Sequence, residues 1–348
     1  RHCNSLIDKK KQNRNSSCRK DSLLPSIYIT LYIFFSLISV VTVFLNLLVI
    51  VSISHFKQLH TPTNLLILSL AVSDLLVGLF VIPSMTAAIM EPCWVLEGYY
   101  CALLIYTTFL CESSSLCNLL LMSVDRYVAV CDPLMYHLKI TTRRTLCSIS
   151  IAWCCCISYD AFLTKIYVNV NVPSKCFKEC YLIEGHFVVN VIDLVFSLFV
   201  PCSIIIILYF KIFVVARSQA RQISSKGAAS VSGVKTVQAS KSERKAAKTL
   251  GIVVFNYMLF WNPFVFLFFI FTSYDLASSI CSFLPLVNSF INPIIYAFFY
   301  PWFKVALQYL SLPKSAKHVS YVKLYYFCNA QNAVDVKGNL ISENNPNI

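Results

Sequence analysis

The sequence predicts an all-α membrane protein, a bundle of seven transmembrane helices followed by a short amphipathic helix. Three observations carry this. Hydrophobic residues make up 57% of the 348 and charged residues 13%, against about a quarter charged in a soluble domain. Apolar runs long enough to cross about 30 Å of hydrocarbon recur along the chain. The bases between those runs collect on one side of the membrane, as the positive-inside rule requires.

The runs cover residues 27–54, 64–90, 101–131, 145–164, 187–215, 246–272 and 277–300. Lipid offers the backbone no hydrogen bonds, so each run is expected to be a helix. Pro83, Pro201, Pro263 and Pro293 lie inside runs, where packed membrane helices tolerate proline at the cost of a local kink. Lys57, Arg143, Arg144, Arg217, Arg221, Lys226, Lys235, Lys241, Arg244 and Lys245 fall in loops on one side. Glu91, Glu97, Glu179, Glu184 and Asp275 fall on the other. This charge asymmetry puts the amino terminus outside. Lys9, Lys10, Lys11, Arg14, Arg19 and Lys20 oppose it, and the loops together outweigh that one tail. Asn15-Ser16-Ser17 is a glycosylation sequon consistent with an outside face.

The expected organisation is an extracellular amino terminus over 1–26, the bundle over 27–300, a membrane-surface helix over 301–310 and a cytoplasmic tail over 311–348. Residues 218–245, rich in Ser, Ala and Lys, read as a cytoplasmic loop. Trp302-Phe303-Lys304-Val305-Ala306-Leu307 has the amphipathic pattern of a helix on the inner membrane face.

The net charge of +13 does not signal nucleic acid, because it follows the loops and forms no basic face with interleaved aromatics. No nucleophile–base pair or metal-ligand spacing stands out to suggest an enzyme. Internal repeats that would suggest a transporter are absent from the sequence.

Ionisable residues within membrane spans are costly and usually functional. Asp74 sits in the second run, with Asn46, Ser115, Asn288, Ser289 and Asn292 at comparable depth on other runs. Asp74, Ser115, Asn288 and Asn292 are candidates to hold a sodium ion. Asp125-Arg126-Tyr127 ends the third run at the cytoplasmic side, and Glu243 opens the sixth at the same level. An Arg126–Glu243 pair would latch the two helices.

With Trp261-Asn262-Pro263 in the sixth run and Asn292-Pro293-Ile294-Ile295-Tyr296 in the seventh, the chain resembles the rhodopsin-like G-protein-coupled receptors over residues 27–310. The resemblance implies that Arg126 engages a heterotrimeric G protein. It also implies that Tyr209 and Tyr296 support the active state and that Trp261 lies beneath the ligand. Asn262 replaces the family's usual Leu, and Tyr257 its usual Phe.

A narrower resemblance rests on the run from Asn288 to Phe303, Asn-Ser-Phe-Ile-Asn-Pro-Ile-Ile-Tyr-Ala-Phe-Phe-Tyr-Pro-Trp-Phe. It is similar to the fingerprint of the trace amine-associated receptors. Glu243 to Ile252, Cys131-Asp132-Pro133-Leu134 and Cys93-Trp94 support it. The resemblance implies a plasma-membrane receptor for amines, olfactory in most relatives and coupled to a stimulatory G protein. It also implies two disulfides, Cys101 with Cys180 and Cys18 with Cys176, for which the extracellular side is suitably oxidising.

The carboxylate that amine receptors usually carry in the third span is replaced by Thr108. A buried ammonium needs an acidic partner, and three acids remain. Asp193 lies eight residues before Pro201, where a subset of the family, mostly in fish, places its amine-binding Asp. Glu112 is one helical turn below Thr108, and Asp160 lies in the outer part of the fourth run. Phe109, Trp261, Phe264 and Phe268 would supply aromatic walls. The expected function is an amine receptor anchored at Asp193. The alternative is a receptor of the same fold for a non-amine odorant or peptide, which the missing third-span acid and Leu286 keep open.

Overall fold

The computed structural model describes residues 25–90, 98–167, 187–225, 245–260 and 283–311. Within them the chain is helical, joined by short turns. Five helices are long and apolar enough to cross a membrane: Ile29–His55, Pro62–Ala87, Tyr99–Cys131, Thr142–Ile166 and Val191–Gln219. The described parts of the sixth and seventh spans, 245–260 and Val287–Phe299, are shorter. The helices match the expected runs to within a few residues at most ends, with two differences. The fifth continues to Ser225. The seventh starts at Val287, behind tight turns over 283–286 whose amides bond three residues back. Pro285 has no N–H to donate there and suits a first turn better than a helix interior.

The first span, Pro25–His55, is apolar all round, the mark of a helix with lipid on one face and protein on the other. Phe35, Val49 and Ile53 face the bundle while Phe44 and Val40 face outward. The second span opens on Pro62 with Thr61 as its cap, the Thr61 side chain accepting the Asn64 N–H at 3.3 Å.

Both Pro83 and Pro201 follow a π-turn, Val77–Val81 in the second span and Val195–Phe199 in the fifth. In the i→i+5 register of that turn the Gly78 carbonyl would look to residue 83, which is proline and has no N–H. Ser39 of the first span supplies the missing donor, its hydroxyl bonding Gly78 O at 2.7 Å. The approach that allows this requires glycine, since a Cβ at position 78 would lie 2.9 Å from Val43 Cγ2 and 3.1 Å from Val43 N.

The third span, Gly98–Cys131, is the hub and packs against the second, fourth and fifth. One core cluster joins Val49, Ile67, Leu70, Met122, Ile205, Leu250 and Tyr296, so six of the spans meet around it. The helix Pro301–Ser311 buries Trp302, Phe303 and Ala306 into the same cluster and leaves Lys304 and Gln308 exposed. That is the two-faced pattern its sequence predicts.

Candidate functional site

Three polar sites lie along the bundle, from the carboxy-terminal end of the third span to its opposite end. At the first of them Asp125 and Arg126 are both buried, at 2% and 4% exposure. Arg126 donates from Nε and Nη2 to Asp125 Oδ2 at 2.9 and 2.7 Å. Nη2 also reaches Thr63 Oγ1 at 2.7 Å, and Thr63 donates to Asp125 Oδ2 at 2.9 Å. Tyr136, from the short helix Tyr136–Lys139 after the third span, donates to Asp125 Oδ1 at 2.9 Å. Burial and the Asp125 carboxylate push the Tyr136 phenol well above its ordinary range, so it remains a donor at physiological pH. Glu243, the expected partner of Arg126, lies outside the described residues. Thr63 and Tyr136 were not expected, since only the fold brings the second span and the loop helix to Asp125.

Tyr127 packs beside Val130, Ile212 and Ala247, with Lys211 Nζ 5.8 Å from its ring centre. Tyr209 packs against the same core as Tyr296, and a Cβ on Gly251 would sit 3.2 Å from the Tyr209 ring. The Tyr296 hydroxyl is buried with no hydrogen-bond partner among the described residues.

In the middle of the bundle Asp74 is 1% exposed and accepts a hydrogen bond from Asn292 Nδ2 at 3.0 Å. Pro293, next to Asn292, lies inside the seventh helix. Asp74, Ser115, Asn288, Ser289 and Asn292 line one small cavity of about 20 Å³, together with Glu112 and Tyr257. Asn288 Oδ1 accepts from Asn256 at 2.8 Å, while its Nδ2 is buried with no partner among the described residues. Asn46 turns aside, bonding Ser289 O at 2.9 Å. A carboxylate with hydroxyl and amide groups and no basic side chain on its walls is an oxygen-rich set that fits a hard monovalent cation or water.

Towards the opposite end, the three expected acids are close enough to interact electrostatically. Asp160, at 2% exposure, accepts from Ser113 Oγ at 2.6 Å. Asp193 accepts two hydrogen bonds on Oδ1, from Tyr159 Oη at 2.5 Å and from Ser197 Oγ at 2.6 Å. Ser197 stands one turn along the helix from Asp193, a spacing visible in the sequence, whereas Tyr159 comes from the neighbouring fourth span. Glu112 faces the Asp74 cavity from one turn below Thr108, so it links the two sites. The Thr108 hydroxyl bonds its own helix, donating to Leu104 O at 2.8 Å, and Phe109 is half-buried beside it. Among the described residues the ion pairs are Arg126–Asp125 and Lys139–Asp132, so none involves these three acids.

Cys101 is disulfide-bonded. Its expected partner Cys180, the other expected pair Cys18 and Cys176, the sequon at Asn15 and the aromatic residues Trp261, Phe264 and Phe268 all lie outside the described residues.

Comparison with known proteins agrees with this arrangement. The rhodopsin family of seven-transmembrane receptors matches residues 45–296. Trace amine-associated receptor 8b of Rattus norvegicus is 38% identical over 333 residues, 90% of this chain and 95% of that protein. Trace amine-associated receptor 6 of Homo sapiens is 38% identical over 322 residues, 88% of this chain and 92% of the relative. Trace amine-associated receptor 8c of Mus musculus is 37% identical over 339 residues, 90% and 95% of the two chains.

Proposed function

This chain belongs to the rhodopsin family of seven-transmembrane receptors and, within it, to the trace amine-associated receptors, and from that premise we propose that it detects an amine whose ammonium pairs with Asp193. The family makes it a multi-pass membrane receptor with a small-molecule ligand and a G-protein partner, and not an enzyme. The observation that carries the proposal is the state of Asp193. It is a carboxylate inside a membrane bundle with no cationic side chain against it among the described residues, and its Oδ2 accepts no hydrogen bond there. A desolvated carboxylate without a counter-charge is costly, and an incoming ammonium removes that cost. Asp160 lies close enough to deepen the negative potential around it and so attracts a cation.

The receptor acts in olfaction, at the plasma membrane with its amino terminus outside, through a stimulatory G protein. Ligand binding beside Glu112 is felt at the Asp74 cavity, which takes a sodium ion, and from there at Arg126. The experiment is an amine panel on cells expressing the wild type and Asp193→Ala at matched surface density, read as cyclic AMP. Loss of the amine response in the variant is expected, by roughly a hundredfold or more in potency. A full response from Asp193→Ala rejects the anchor. The competing reading, a receptor for a neutral odorant or peptide, draws on Thr108, whose hydroxyl is already bonded to Leu104 O. It predicts activation by neutral compounds and silence toward every amine.

A further inference from the structure

We propose that Tyr159 and Ser197 make Asp193 selective for ammonium over guanidinium ligands, an inference that rests on the Asp193 anchor proposed above. A carboxylate oxygen has two lone pairs. On Asp193 Oδ1 both are taken, one by the Tyr159 hydroxyl at 2.5 Å and one by the Ser197 hydroxyl at 2.6 Å. The two hydroxyl oxygens lie 3.2 Å apart, so two short bonds converge on that atom and weaken its acceptance of a third. Oδ2 accepts no hydrogen bond among the described residues. Asp193 therefore offers a ligand one oxygen.

That asymmetry has a chemical consequence. A guanidinium binds a carboxylate through two parallel N–H···O bonds, one to each oxygen. With Oδ1 already holding two short bonds, half of that fork competes with Tyr159 and Ser197 for an oxygen whose acceptor strength is shared. An ammonium is a point charge whose single N–H···O bond to Oδ2 is enough. The donors also act on the ligand-free protein, where two charge-assisted bonds offset the repulsion that Asp160 exerts on Asp193. Ser197 shares the helix of Asp193, so it saturates Oδ1 without fixing one helix to another. Tyr159 reaches across from the fourth span, and it holds the Asp193 side chain in one orientation across the interface. It is a positioning residue.

The test uses full-length wild type, Tyr159→Phe, Ser197→Ala and Asp193→Ala in cells, matched for surface density by an epitope tag. Each is titrated with phenethylamine and isoamylamine and with the guanidine made from each amine, reading the half-maximal concentration for G-protein activation. Wild type is expected to favour each amine over its guanidine by roughly tenfold, the worth of one charge-assisted bond. Tyr159→Phe opens Oδ1, so the amine loses potency while the guanidine holds or gains, and the ratio narrows. Ser197→Ala narrows it in the same direction and carries the test if Tyr159→Phe does not reach the surface. A wild type indifferent to the pair, a ratio unchanged in both variants, or equal losses for amine and guanidine overturns the proposal while leaving Asp193 as anchor. A wild-type response from Asp193→Ala, or a wild type silent to both amines, rejects the anchor itself and the selectivity with it.

Discussion

Asp125 and Asp193 are carboxylates at opposite ends of one bundle, and their surroundings differ in kind. Asp125 is closed. Arg126, Thr63 and Tyr136 fill both of its oxygens, and its counter-charge is the next residue in the chain. Asp193 is half open, with two neutral donors on one oxygen and no cation against it among the described residues. The end that holds Asp125 supplies partners for both oxygens of its acid. The end that holds Asp193 leaves one oxygen without a donor among the described residues. Between them lies the cavity lined by Asp74 and Glu112.

The comparison can be broken most severely at the closed end. Asp125→Ala removes the buried carboxylate that Arg126, Thr63 and Tyr136 all bond, and a loss of roughly 3–5 kcal/mol of stability is expected. The check is the melting temperature of the detergent-solubilised receptor and its density at the cell surface. Next in size is the contrast at the open end. Asp193→Ala removes a charge that had no cationic partner, so stability holds or rises by about 1 kcal/mol in the same melt, while the amine response is lost. A large drop in melting temperature for Asp193→Ala would make the two acids alike and end the distinction.

A smaller effect is expected from Tyr136→Phe. It deletes one hydrogen bond to Asp125, worth about 1.5 kcal/mol at a charged acceptor, and ligand-free signalling should rise several-fold as the latch loosens. Unchanged basal signalling at equal surface density would show that Tyr136 only packs there. The least effect belongs to Thr108→Val. Among the described residues the hydroxyl it removes bonds Leu104 O within its own helix, so amine potency should move by less than about twofold. A tenfold loss would return Thr108 to the ligand site.

Much of this was legible in the chain. The apolar runs specify the spans because lipid leaves the backbone no alternative to a helix, and five of the described helices cross with nearly the expected limits. The residues Asp74, Asn288 and Asn292 announced a polar cavity, because ionisable and amide groups in a membrane are too costly to be incidental. Even the Ser197 donor was within reach, as an i+4 neighbour of Asp193 on one helix face. Prolines 83 and 201 gave notice of kinks, though not of the π-turns that precede them.

Composition, span number and the list of costly buried groups follow from the sequence alone, because each depends on a residue and its near neighbours in lipid. The tertiary structure alone decided which of those groups meet. Tyr159 reaches Asp193 across 34 positions, Thr63 reaches Asp125 across 62 and Asn292 reaches Asp74 across 218. Such pairs depend on how each helix is rotated about its axis. That rotation is settled by packing against the third span and by close approaches such as Gly78 on Val43, and no local pattern encodes it.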